Sequence, residues 1–173
     1  MPKCLRRSDL NVRLRRANST DIPATIELEL QSSSAAHWTR EQYESRIAAT
    51  NSERSESLVL VVEGEDAPPS GIAISARAGF LAFLVARGVD KEWELENIVV
   101  AENARRRGIG FQLLRELIEH AKRVGGTAVF LEVRESNQAA RGLYHKMGFV
   151  EVGKRNRYYS NPSEDAIFCR ITL

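Results

Sequence analysis

Between residues 93 and 133 the hydrophobic period changes twice, and this constrains the fold more than any other feature. Residues 93–100 read as a strand that ends in a short loop. Ile109, Leu113, Leu114, Leu117, Ile118 and Ala121 then recur at helical spacing on one face. Gly125-Gly126 ends that helix, and residues 127–133 form a buried strand. Such a unit must cover a sheet, so the expectation is an α/β domain built on one mixed sheet.

The flanking segments fit the same plan. Residues 11–16 alternate apolar and charged, as a first strand would. Thr20-Asp21-Ile22-Pro23 reads as a helix start, where proline is tolerated. Thr39-Arg40-Glu41-Gln42 is a capping box, with Trp38 and Tyr43 placed as a hydrophobic staple, for a helix running to Ala49. Residues 58–62 are a strand, and Ala67-Pro68-Pro69-Ser70-Gly71 breaks the chain. The apolar runs 72–75 and 80–85 are both strands, or one belongs to an insertion. Ser136 is expected to cap a helix whose inner face carries Ala139, Ala140, Leu143, Tyr144 and Met147, with Gly148 at its end. Residues 149–152 and 167–173 read as two final strands. A length of 173 residues suits one domain, residues 11–173, preceded by a tail over residues 1–10.

Charge excludes some function classes. With 25 basic and 23 acidic side chains the net charge is +2, which argues against bulk electrostatic binding of nucleic acid or membrane. No window approaches the roughly 18 apolar residues that span a bilayer. The basic stretch at residues 1–16 lacks the apolar core of a secretory signal. Cys4 and Cys169 lie far apart and form no metal-ligand pattern, so no metal is expected. The default expectation is a cytoplasmic protein, monomeric or weakly dimeric. Trp93 should anchor its strand. His120 and His145 are assigned to the polar sides of their helices, and His37 to a helix entry.

Arg105-Arg106-Arg107-Gly108-Ile109-Gly110 joins a strand to a helix. Three arginines at a helix N-terminus oppose the macrodipole unless an anion binds there. Free N–H groups of the first turn point the same way, and glycines let backbone approach a phosphate. The run lacks the Lys-Ser/Thr of a Walker loop and a full G-x-G-x-x-G fingerprint. A phosphate cradle and a solvated basic turn both remain open on these residues alone. Glu132 interrupts an apolar strand: it is a functional carboxylate, or a strand-end residue facing solvent or Arg134. Tyr144 is a reactive phenol or a core tyrosine, and Asn137 a cap or a ligand contact.

The hexapeptide matches the R/Q-x-x-G-x-G/A signature of the GCN5-related N-acetyltransferases, and residues 95–100 resemble that family's splayed strand. The tight resemblance covers about residues 93–159. Within it, Glu132 to Ala140, Leu143-Tyr144, Met147-Gly148-Phe149, Tyr158-Tyr159 and Glu164-Asp165-Ala166-Ile167 are most similar to the RimI subfamily, whose members acetylate the N-terminal alanine of a ribosomal protein. His37-Trp38-Thr39 stands where the subfamily has Pro-Trp-Ser. The resemblance implies a mostly antiparallel sheet with a splayed strand, flanked by about four helices. It implies acetyl-CoA as co-substrate, held by Ile98, Val99, Val100, Arg105, Arg106, Arg107, Gly108, Ile109, Gly110, Phe111 and Asn137. It implies Glu132 as general base, Tyr144 as general acid, and a protein or peptide N-terminus as acceptor. Residues 63–79 fit the subfamily poorly and look inserted. A small amine as acceptor, or a non-catalytic acyl-CoA-binding module, are the competing expectations.

Overall fold

The computed structural model describes residues 11–32, 35–50, 56–64 and 79–173. The N-terminal tail, Cys4 and the apolar run 72–75 lie outside the described residues. Seven strands form one sheet in the order β1-β2-β3-β4-β5-β7-β6. They are β1 Val12–Arg16, β2 Ser57–Gly64, β3 Phe80–Val89, β4 Glu92–Val100, β5 Ala128–Arg134, β6 Val150–Ser160 and β7 Ser163–Thr172. Every ladder is antiparallel except β4–β5. The α-helices are α1 Ile22–Leu30, α2 Arg40–Ala49, α3 Ile109–Arg123 and α4 Gln138–Lys146.

Strand alternation divides the core in two. Leu58, Leu60 and Val62 of β2 meet the apolar face of α3 and Tyr144 of α4 on one side of the sheet. Val59 and Val61 meet Ile22, Leu28, Tyr43 and Ile47 of α1 and α2 on the other. Thr39 caps α2 in a reciprocal box with Gln42, and Trp38 lies 5.4 Å from Tyr43, completing the staple. Trp93 is buried, as expected.

Several expectations need correction. Glu63 and Gly64 belong to β2, and Arg15 binds the Glu63 carboxylate together with Asp21, so these residues are part of the sheet. His120 is only 2% exposed, edge-on to Trp93 at a centroid distance of 4.8 Å. It sits beside the glycine turn where α3 closes onto β4, a tertiary contact that helical periodicity does not register. Asn137, not Ser136, caps α4, its Oδ1 accepting Ala140 N–H at 3.1 Å. Ala139 is exposed rather than on the inner face of α4. The last two strands run well past the segments read from the sequence, because β6 is an exposed edge strand with almost no buried face to mark it.

Candidate active site

The site begins with an irregularity in β4. Asn97 pairs with Val85 and Leu95 with Ala86, leaving Glu96 as an extra residue in the strand. A bulge bends its strand. On the other edge, β4 pairs with β5 only from Glu92↔Ala128 to Leu95↔Leu131, and then the two strands part. Residues 96–100 therefore face β5 across a gap, with no strand among the described residues to use their backbone groups on that side.

One cleft, of about 750 Å³, opens from this gap toward the start of α3. Ile98, Val99, Val100, Arg105, Arg106, Gly108, Ile109, Gly110, Phe111 and Asn137 all line it. Arg107, expected among them, lies outside this lining. The two glycines do different work. Gly108 has φ +82 and open space around its missing Cβ, so the turn needs its conformation. A Cβ on Gly110 would meet Leu143 Cδ2 at 3.0 Å, so this glycine lets α3 approach α4. No side chain caps α3, and Arg105 Nε is anchored on the Val100 carbonyl at 3.1 Å. An uncapped helix start lined by Arg105 and Arg106 fits a diphosphate group.

A second cleft, of about 140 Å³, lies on the other side of α4's first turns. Glu132, Glu96, Tyr159, Ala35 and Ala36 line it. Ile98, Asn137, Ala140 and Tyr144 line both clefts and form their common wall. Tyr144 is buried, and that burial pushes its phenol well above the usual tyrosine range, so it is protonated at neutral pH.

Glu132 does not pair with Arg134, which binds Glu164 at 3.3 Å and stacks over the Tyr159 ring at 4.1 Å. Instead Arg155 Nη1, from β6, reaches Glu132 across the intervening β7, and its guanidinium stands 5.4 Å from the centre of the Tyr158 ring. Glu96 is bound by Arg46 through two nitrogens at 2.8 and 2.7 Å, and by Arg87 at 3.2 Å. Glu29 is fully buried and accepts from Trp38 N–H at 2.9 Å and Asn97 Nδ2 at 2.6 Å, tying the segment before α2 to the bulged strand. Sequence reasoning missed these partnerships, since each joins residues on separate elements. The one available signal was the polar Glu96-Asn97 pair inside an apolar strand.

Known proteins resemble this chain in sequence and in fold. Residues 23–149 match the family described as the Acetyltransferase (GNAT) family. The chain is 32% identical over 157 residues to the ribosomal-protein-bS18-alanine N-acetyltransferase of Escherichia coli, covering 90% of this chain and 93% of that protein. It is 46% identical over 79 residues to the N-alpha-acetyltransferase RimI of Mycobacterium tuberculosis, covering 46% of this chain and 48% of that one. The crystal structure of the ribosomal-protein-S18-alanine N-acetyltransferase from Escherichia coli superposes with a TM-score of 0.73 at 28% identity, over 94% of each chain.

Proposed function

Because the chain belongs to the GNAT family of acetyltransferases, we propose that it transfers the acetyl group of acetyl-CoA to the α-amine of a protein N-terminus. Its preferred acceptor begins with a small residue, and the N-terminal alanine of a ribosomal protein, named for the Escherichia coli relative, is the first candidate. The observation that carries this reading is the wall shared by the two clefts, where Tyr144 stands between the basic turn and Glu132.

Arg105, Arg106 and the first-turn N–H groups of α3 would hold the diphosphate of CoA. The splayed stretch Ile98, Val99 and Val100 would line its pantetheine arm together with Asn137. Bound there, acetyl-CoA supplies an activated thioester. The acceptor amine enters from the side of Glu132. An α-amine with pKa of about 8 is roughly one-tenth neutral at pH 7, and Glu132 takes the remaining proton directly or through water. Backbone N–H groups on the open edge of β4 stabilise the developing oxyanion. Tyr144, kept protonated by burial, donates to the departing thiolate.

The test is an acetyl-CoA assay on short peptides that vary only at the first residue, with mass spectrometry locating the acetyl group. Modification of the α-amine of small-residue peptides is expected. Acetylation only of lysine side chains or of free polyamines would overturn the acceptor assignment.

A further inference from the structure

Glu164 and Asp165 stand side by side near the start of β7, and neither takes part in the chemistry above. They serve different segments. Glu164 accepts Ser136 N–H and binds Arg134, holding the loop after β5. Asp165 holds β6 instead. Its Oδ1 accepts Arg157 N–H at 2.7 Å, and Lys154 Nζ lies 2.8 Å from its Oδ2. Lys154 also reaches Glu135 at 3.0 Å. The hydrogen bond from Lys154, and then that from Arg157 N–H, hold the Asp165 carboxyl below its usual range.

Arg157 lies where the β6–β7 ladder breaks. Pairing passes from Arg155↔Ala166 directly to Tyr159↔Glu164, so Asn156, Arg157 and Tyr158 together stand opposite Asp165. Arg157 has φ +51, a left-handed conformation that a residue with a Cβ disfavours. A backbone held there needs an outside contact, and the Asp165 carboxylate is the one that receives its N–H. The bulge frees Tyr158 from the ladder, and its ring stands 5.4 Å from the guanidinium of Arg155, which binds Glu132 across β7.

We infer that Asp165 is a positioning residue for the acid–base site: by binding Arg157 N–H it fixes the bulge that sets the Tyr158 ring against Arg155, the cation on Glu132. The inference rests on the reading of Glu132 as the base. Asp165 lines neither cleft. It acts through Arg157, Tyr158 and Arg155 on the orientation of one carboxylate.

Steady-state kinetics with acetyl-CoA and a peptide acceptor test this. Asp165→Ala should lower kcat by roughly 10- to 100-fold, the scale of a small misplacement of a reacting group, and leave the KM for acetyl-CoA unchanged. Asp165→Asn keeps a carbonyl oxygen for Arg157 N–H and should recover most of the loss. In a Tyr158→Leu background, which removes the ring, Asp165→Ala should add less than about a twofold further loss, since both changes break the same path. The same fold loss in both backgrounds would overturn the inference. So would full turnover by Asp165→Ala alongside an inactive Glu132→Gln. An active Glu132→Gln would remove the base itself, and the inference with it. Should Asp165→Ala fail to fold, Arg157→Asn added to it supplies a residue that tolerates positive φ. A folded double variant with restored turnover supports the inference, and one without recovery overturns it.

Discussion

Arg155 Nη1 lies 2.8 Å from Glu132 Oε1, so the carboxylate that would receive the acceptor's proton already holds a cation. The Arg155 side chain is 61% exposed, which leaves the pair screened by solvent and open to exchange. An incoming α-ammonium would bring its own charge to the same oxygen atoms and would displace the guanidinium.

Arg155→Met keeps the aliphatic stem and removes that competition. The KM for a peptide acceptor should fall by up to about fivefold, the scale of an exposed ion pair of at most about 1 kcal/mol. The wild-type KM should improve at high salt, which screens the Arg155–Glu132 pair, and this salt effect should disappear in the variant. Peptide titrations at two ionic strengths check both points, and a raised KM would instead make Arg155 an acceptor-binding residue.

Glu132→Gln keeps the size of the side chain but cannot take a proton. Turnover should fall by roughly 100- to 10,000-fold at neutral pH. The deficit should shrink above pH 8, where the α-amine loses its proton unaided. Tyr144→Phe should lose turnover at every pH, because its phenol serves the leaving group. Since burial raises the Tyr144 phenol, the wild type should show no alkaline fall at about pH 10, where an ordinary tyrosine ionises. A pH–rate series on the three proteins separates these roles.

Arg106 has φ +62, so the basic turn holds a side chain where glycine is favoured. Arg106→Gly removes a charge and relieves that conformation together. The KM for acetyl-CoA should rise about tenfold while the melting temperature holds or rises, since a strained non-glycine residue costs of order 1 kcal/mol. Gly110→Val is a poorer probe, because its Cβ would press on Leu143 and wedge α3 from α4. An unchanged KM in folded Arg106→Gly would take this side chain out of the diphosphate site.

His120 couples the fold to acid. Burial, and then the charges of Arg16 and Arg123, push its imidazole down to about 4, and its Nε2 has no partner among the described residues. The unfolded chain binds this proton near pH 6.5 and the folded chain only near pH 4. The contribution is therefore complete above pH 6.5 and is lost as pH falls toward 4, by roughly 3 kcal/mol at most. His120→Leu should flatten that part of the stability curve, measured by urea melts from pH 7 to 4. An identical acid slope in the variant would assign the loss to other groups.

The parts of this protein that follow from local pattern were readable in advance. The α2 capping box needs four consecutive residues, α3 needs only its period, and the basic turn announces itself by charge at a helix start. The resemblance supplied Glu132 and Tyr144. What escaped depends on register. The Glu96 bulge shifts which β4 residues face the gap, yet composition does not encode it. Arg155 reaches Glu132 only because β7 threads between their strands. The length of β6 was hidden for a simpler reason: an exposed strand with polar residues on both faces has no alternation to read.

That same strand is the outer edge of the sheet. A long, regular edge offers a free row of backbone donors and acceptors to any other chain. β6 offers a poor one. Its ladder with β7 shifts register twice, once between Glu151 and Gly153 and again between Arg155 and Tyr159. Glu151, Lys154, Arg155 and Arg157 put charge along its length. Val150 and Val152 are exposed, but the first irregularity falls beside them. Both irregularities thus guard against sheet-to-sheet aggregation, and straightening β6 would forfeit colloidal stability along with the bulge proposed to serve the site.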